Sequence, residues 1–232
     1  MSIGETEGLT RLLKLLTRAL TYVLEGKRDL GPLLQFLQGF VFGSDLDSEV
    51  WAGVYRQFGM EAEYREFMEE HEVEEAEDRW TMPVLTGVTC NKVVAVLRGL
   101  GVEVFTYVDD LDAEVADNDR DPANGSYFVG FTKNAEADEE NKRKSANQLK
   151  DESHQGITLL ERLLLELGYS LATAKHLDIK NVTLCSGSRY RAGDVPRVRW
   201  NPGDRRVYVS WCGLDGSNDS LRSRSVRFLS LV

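Results

Sequence analysis

Cysteine is scarce and scattered in this chain. Cys90, Cys185 and Cys212 are all that 232 residues contain. Their spacing makes neither a disulfide framework nor a zinc-ligand pattern, and it fits a reducing compartment. Long apolar runs are missing too: no stretch approaches the ~20 residues that cross a bilayer. Residues 1–6 lack a basic leader region, and the Leu-rich stretch after them is broken by Arg11, Lys14 and Arg18, so no secretory signal is expected. The expectation is a soluble, cytoplasmic protein. The three histidines, His71, His154 and His176, are too dispersed to form a catalytic or metal-binding set, and His176 reads as a capping or packing residue. P-loop, dinucleotide fingerprint, zinc-protease helix and nucleophile elbow are all absent. No catalytic residue, metal or cofactor is therefore expected.

A second set of absences is confined to the C-terminus. From Cys185 onward there is no Lys, Glu, Gln, Met, His, Ile or Thr. Every cationic side chain there is Arg. Residues 181–232 hold nine Arg against four Asp, a local charge of +5, so the preceding 180 residues carry −15 of the total −10. The overall acidity argues against a general nucleic-acid binder. Much of it sits in residues 61–78, which read as a solvated helix face.

What is present suffices for a substantial core, with 42% apolar and 9% aromatic residues. Leu9, Leu12, Leu13, Leu16, Leu20, Val23 and Leu24 recur at helical spacing. Pro32 opens a second apolar helix through Phe42, and Asp45, Asp47 and Ser48 are capping candidates for a third, which holds Trp51, Tyr55, Phe58, Tyr64 and Phe67. Residues 1–80 are thus expected to be a helical region that packs on the rest or mediates self-association or partner contact. Residues 81–232 read as an α+β domain: a helix over 91–98, strands over 102–108 and 126–131 around a turn-rich loop, a polar helix over 135–152 with Asn134 as its capping candidate, and a buried helix over 157–171. Short strands follow at 182–184, 195–200, 206–211 and 226–232, giving an antiparallel sheet. The acidic residues Asp109, Asp110 and Asp112 after the first of these strands read as a loop.

The two strands at 195–200 and 206–211 join across the turn Asn201, Pro202, Gly203, Asp204. Period-two alternation puts Val198, Trp200, Val207, Val209 and Trp211 inward. It puts Arg197, Arg199, Arg206, Tyr208, Ser210 and Cys212 on one open face. Tyr190, Arg191 and Asp194 on one side, with Arg205, Leu214, Asp215 and Asn218 in turns and loops, complete the candidate ligand-binding set. Arg and Tyr are the residues that most often anchor binding sites, and Tyr, Ser, Gly and Asn supply adaptable contacts. Cys185 is expected to be a small buried residue and Cys212 a surface one. Asp215, Asn218 and Asp219 read as a polar loop without the further ligands that a hard cation needs.

The stretch from Gly156 to Tyr169, the step His176-Leu177-Asp178 and the turn Leu184-Cys185-Ser186-Gly187-Ser188-Arg189 resemble a set of bacterial proteins of no established function, over roughly residues 125–232. The tail also resembles the variable proteins of diversity-generating retroelements, in which adenines of a template copy are replaced at random. The codons so made yield Tyr, Ser, Asn, Asp, Arg, Gly, Cys, Leu and Ala but not Lys, Glu, Gln, Met or Trp. The resemblance implies a C-type-lectin-like fold with a small twisted antiparallel sheet and two helices, a variable segment at about 185–222, and scaffold roles for Trp200 and Trp211. It implies a non-catalytic protein whose diversified face binds a protein or surface polymer. The sequence departs from true lectins: Glu-Pro-Asn, Gln-Pro-Asp and Trp-Asn-Asp are all missing, so calcium and sugar chemistry is not implied. The alternative is a nucleic-acid binder that uses Arg197, Arg199, Arg205 and Arg206 as phosphate contacts.

Overall fold

The computed structural model describes residues 46–71 and 76–229, together with Thr17 and Thr21. The helices expected around Leu9–Leu24 and after Pro32, and the last residues of the closing strand, lie outside the described residues. So does part of the acidic run, at residues 72–75.

Asp47 starts the first described helix, α1 (Ser48–Gln57), by accepting the Val50 N–H at 2.9 Å. The aromatic pattern after it belongs to two helices. Gly59 adopts φ +70°, and α2 (Glu61–Glu70) begins beyond it. The break has a geometric reason. Tyr55 and Tyr64 are nine residues apart, about two and a half turns, so one straight helix would set them on opposite faces. With the chain turned at Gly59 their rings stack at 5.2 Å, nearly parallel at 9°.

Strand β1 (Arg79–Val84) follows and pairs antiparallel with β4 (Tyr127–Thr132), whose other edge takes the closing strand β10 (Arg227–Leu229). Between β1 and β4 lie α3 (Cys90–Gly99), β2 (Glu103–Thr106), the single turn α4 (Leu111–Glu114) and the two-residue β3 (Asp117–Asn118). The polar helix expected over 135–152 is shorter. Only a 3₁₀ turn at Glu139–Asn141 and α5 (Ala146–Asp151) form. Asn134 caps nothing there but closes a local turn onto the Glu136 N–H. Ser145 and Gln148 supply the capping box of α5 instead.

Helix α6 (Leu159–Thr173) runs through the middle of the molecule and opens on a second capping box, Thr158 with Glu161. It packs on α1, α3 and the sheet. Gly168 is required there: a Cβ would sit 2.8 Å from the Trp51 ring. The described helices α1 and α2 share one core with α6 and the strands, through Val50, Trp51, Tyr64, Leu163 and Leu164 among others.

The remaining strands are β5 (Val182–Leu184), β6 (Ser188–Arg189), β7 (Val195–Asn201), β8 (Arg206–Cys212) and β9 (Leu221–Arg222). Five strands make one sheet in the order β2-β8-β7-β5-β9. The expectation of a purely antiparallel sheet is corrected here: the three central strands are antiparallel, but β2 on β8 and β9 on β5 are parallel. Each edge strand comes from a distant part of the chain, and that separation frees it from hairpin geometry. β3 and β6 form a separate two-stranded ladder. The architecture is α+β.

The three charged residues of α6 that break its apolar run are all buried. Arg162 donates to Asp178 at 2.9 Å and to Glu166 at 2.8 Å. Arg224 reaches the other Asp178 oxygen at 2.7 Å, and Thr183 donates to Asp178 as well. Glu161 pairs with Arg120 at 2.6 Å and accepts from Tyr127 at 3.1 Å. Helix, sheet and the segment after β9 are thereby tied together beneath the sheet's inner face. His176 stands at the rim of this network, with Nδ1 2.8 Å from Glu166 and its ring stacked at 3.4 Å on Trp200.

Candidate binding face

The hairpin β7–β8 has the register that alternation predicts. Arg197 lies opposite Ser210, Arg199 opposite Tyr208 and Asn201 opposite Arg206, so these side chains share the outer face. Val198, Val207 and Val209 are buried on the inner face. The face is ordered by short local bonds. Arg197 Nε donates to Ser210 Oγ at 3.0 Å. The Tyr208 hydroxyl donates to Asp204 in the turn, where Asn201 holds both the Gly203 N–H (3.0 Å) and Asp204 (3.1 Å). That bond to Asp204 raises the Tyr208 phenol above its ordinary value. Arg205 takes a left-handed φ of +54° to complete the turn. Arg199, Arg205 and Arg206 are exposed and Arg197 is half-buried.

The parallel pairing of β2 with β8 adds residues that sequence reasoning missed. Phe105 is level with Tyr208 in the ladder, and their rings lie 5.2 Å apart. Tyr107 meets Phe105 edge-on at 4.8 Å and then Trp211 edge-on at 4.8 Å. Tyr208, Phe105, Tyr107 and Trp211 therefore form a continuous aromatic ribbon around the β2 edge. Tyr107 is 60% exposed and Trp211 41%. The only sequence signal for Phe105 and Tyr107 was the alternation of their own strand. Nothing local indicates that this strand lands beside β8.

Trp211 corrects an expectation. It keeps the inward phase of Val207 and Val209, but the pairing of β2 with β8 ends at Thr106 opposite Val209, so the Trp211 ring lies beyond the last β2 partner, against Tyr107. Trp200, by contrast, is half-buried on His176. Tyr190 corrects another: it is 9% exposed and belongs to the main core, and burial pushes its phenol up to about 12. Cys212 does lie on the outer face, but half-buried, with burial raising its thiol. The reason is that α5 covers that end of the face. Ala146 and Leu149 close a small apolar cluster with Leu184, Val195 and Leu221, against which Cys212 packs. Arg222, at the end of the expected variable segment, is buried as well and pairs with Glu139. Cys185 is buried.

The remaining candidates flank the covered end. Arg191 is exposed, with Nε donating to the Ala113 carbonyl at 2.6 Å. Asp194 is half-buried, and its carbonyl accepts the Tyr190 N–H at 2.8 Å. Leu214 and Asp215 are held to α5 by Asn147, which bonds the Leu214 carbonyl at 3.2 Å and the Asp215 carboxylate at 2.7 Å. Asn218 Oδ1 is occupied by Ser220 and Leu221, and Asp219 is paired with Arg143. Asp110 caps α4 through the Ala113 N–H at 3.0 Å, and Asp112 accepts the Asn91 N–H. Among the described residues no group of three or more His, Cys, Asp or Glu is placed to hold a metal ion. Nor is any described helix long and apolar enough to cross a membrane.

The structure thus brings Arg197, Arg199, Arg206, Tyr208 and Ser210 together and joins Phe105 and Tyr107 to them, while Trp211 meets Tyr107 from the opposite phase at the β2 edge. It sets Arg191, Leu214, Asp215 and Asn218 apart, around α5. No protein-family model, curated protein or solved structure matches the chain.

Proposed function

We propose that the protein is a non-catalytic binding protein whose ligand docks on the open half of the five-stranded sheet. One observation carries this reading: an exposed aromatic ribbon continuous with a row of arginines on a hydrogen-bonded strand framework. Aromatic and Arg side chains supply large contact area at low entropic cost, and Arg adds forked hydrogen bonds. The framework beneath is held rigid by the buried ion pairs of α6, so the face is pre-organised. A protein or a surface polymer is the ligand that a broad, open face of this kind suits, since small molecules favour concave sites.

In this reading the scaffold is C-type-lectin-like and the segment 185–222 is the diversified part. The order from β4 onward supports it: strand, two helices, then strands, with β10 returning to pair beside β4. Phe105, Tyr107 and Trp211 then form the constant part of the face, and Arg199, Arg206, Tyr208 and Ser210 the changeable part. Two measurements test this. A near-copy of the coding segment for residues 190–222, differing only at adenines and adjoining a reverse-transcriptase gene, is the expected genomic signature. Arrayed glycans and bacterial surface proteins should retain the wild type and lose Tyr208→Ala and Arg199→Ala, with melting temperatures nearly unchanged. Equal retention of the variants would refute the assignment of the face.

Single-stranded nucleic acid is the second reading. The same ribbon favours it, because stacking of bases on rings beside arginines is a sequence-tolerant mode of binding. It predicts anisotropy-detected binding of labelled single strands that weakens steeply with salt.

A further inference from the structure

Away from the open face, the structure contains a polar trench between α5 and the β3–β6 ladder. Its deeper part is a cavity of about 520 Å³, reaching Asp119, His154 and Ser186. A second hollow of about 400 Å³ shares Asp117, Lys150 and Arg189 with it and extends to Arg191 and Leu214. Three shared residues make the two a single trench.

Its walls are built before any ligand arrives. Asp117 pairs with Arg189 and Asn118 with Ser188 in the ladder, and the Asp119 N–H continues it to the Gly187 carbonyl at 2.8 Å. The Arg189 guanidinium is fixed by the Ser186 and Ser188 carbonyls at 2.8 and 2.7 Å. Gly187 is required at the floor, since a Cβ would lie 2.6 Å from the Gly156 carbonyl. The opposite wall, α5, is held by its capping box.

Against this rigid frame, several polar groups are left over. Among the described residues, the carboxylates of Asp117 and Asp119 and the ammonium of Lys150 make no hydrogen bond or ion pair, although all three line the deeper cavity. His154 Nε2 is buried without a partner. Partial burial raises the Asp119 carboxyl above its ordinary value, and the charges of Arg120 and Arg189 offset that rise only in part. Asp117 in β3 and Asp119 in the bend after it line the same hollow. The charges are also sorted along the trench: Asp119 stands at one end, Asp117, Lys150 and Arg189 in the middle, and Arg191 beside apolar Leu214 at the other.

We propose that this trench is a second binding site, for a ligand that carries an ammonium or guanidinium group at the Asp119 end, within reach of Asp117, and a carboxylate towards Lys150 and Arg191. A basic amino acid and a peptide segment with a basic side chain followed by an acidic one share that chemistry. This site is separate from the open sheet face, although Arg189, Arg191 and Leu214 lie within residues 185–222.

Titration calorimetry on the full chain tests it. The probes are free L-arginine, an acetylated and amidated hexapeptide with Arg preceding Glu by three residues, and the same peptide with the two residues exchanged. Either arginine or one of the two peptides should bind, and the two peptides should differ. Binding of arginine alone assigns the site to a free amino acid, and tighter binding of one peptide assigns it to a chain segment and its direction. Asp117→Asn with Asp119→Asn should weaken the binding about tenfold or more, the effect of removing charge-assisted hydrogen bonds. Lys150→Gln, on the helix surface and safe for folding, should weaken the carboxylate-bearing probes by a smaller factor. Tyr208→Ala should leave all of them unchanged. No binding of any probe at 10 mM (about the weakest that calorimetry reads), equal binding of the two peptides with none of arginine, or affinity indifferent to both the Asp pair and Lys150, would overturn the proposal.

Discussion

Asp178→Asn is the sharpest test of how the sheet is supported. The Asp178 carboxylate has no exposed surface. It accepts from Arg162 Nε at 2.9 Å, Arg224 Nη2 at 2.7 Å, the Ala137 N–H at 2.8 Å and the Thr183 hydroxyl. Arg162 has a second anion in Glu166 at 2.8 Å, whereas Arg224 has otherwise, among the described residues, only the carbonyls of Asn134 and Ala135, at 2.8 and 2.9 Å. The substitution keeps the shape but leaves Arg162 with Glu166 alone and Arg224 with no carboxylate partner among the described residues. It also turns an acceptor oxygen into an NH₂ that faces donors. Breaking a buried pair on one side costs about 3–5 kcal/mol, a large fraction of the roughly 5–15 kcal/mol that holds a domain together. Urea unfolding followed by fluorescence of the buried Trp51 and Trp80 reads it directly. With an m-value of roughly 2.5 kcal/mol/M the midpoint should fall by about 1.2–2 M. A loss below about 1 kcal/mol at unchanged m-value would refute the view that this network anchors the sheet.

Acid should unfold the protein through the same groups. Burial alone would raise the carboxyls of Asp178 and Glu166, but Arg224 and Arg162 for the first, and Arg162 and His176 for the second, hold them below the ordinary 3.8 and 4.5. A depressed folded-state value means that the unfolded chain takes up protons first. Their stabilisation is therefore complete above about pH 5 and is lost as pH falls below 4, which circular dichroism across pH 2–7 checks. Gly168→Val should destabilise by at least about 1–3 kcal/mol, because the added side chain meets the Trp51 ring; a thermal melt measures it. Leu149→Ala, which opens the small cluster that holds α5 on the sheet, should cost about 2–3 kcal/mol. Trp211→Ala should change stability by less than about 1 kcal/mol, since its ring is exposed at the sheet end, and a larger loss would show that the ring supports Tyr190 and the core.

The hairpin at the heart of the site was legible in the chain because its cause is local. Alternation, a Pro-Gly turn and strand length together determine which side chains share a face, and the observed pairing of Val195 with Cys212 through Asn201 with Arg206 follows them. Helix α6 was legible for the same reason. The burial of its Glu161, Arg162 and Glu166 was not: helical spacing can bring Arg162 and Glu166 together, but their further partners lie at Arg120, Asp178 and His176, and no periodicity encodes a partner at that distance. The break at Gly59 and the shortness of α5 were missed where helical propensity outweighed the need to turn the chain.

By itself, the sequence determined the α+β composition, the inward phase of Val198, Val207 and Val209 and the arginine-bearing outer face, all of which arise from period and local turn chemistry. Only the tertiary structure decided which parts of that face are open. The parallel landing of β2 beside β8 adds Phe105 and Tyr107 to it, the packing of α5 removes Cys212 from it, and the end of β2 opposite Val209 leaves Trp211 exposed. Burial is a property of what lies across from a side chain, and along most of this face what lies across is brought there by residues forty to a hundred positions away.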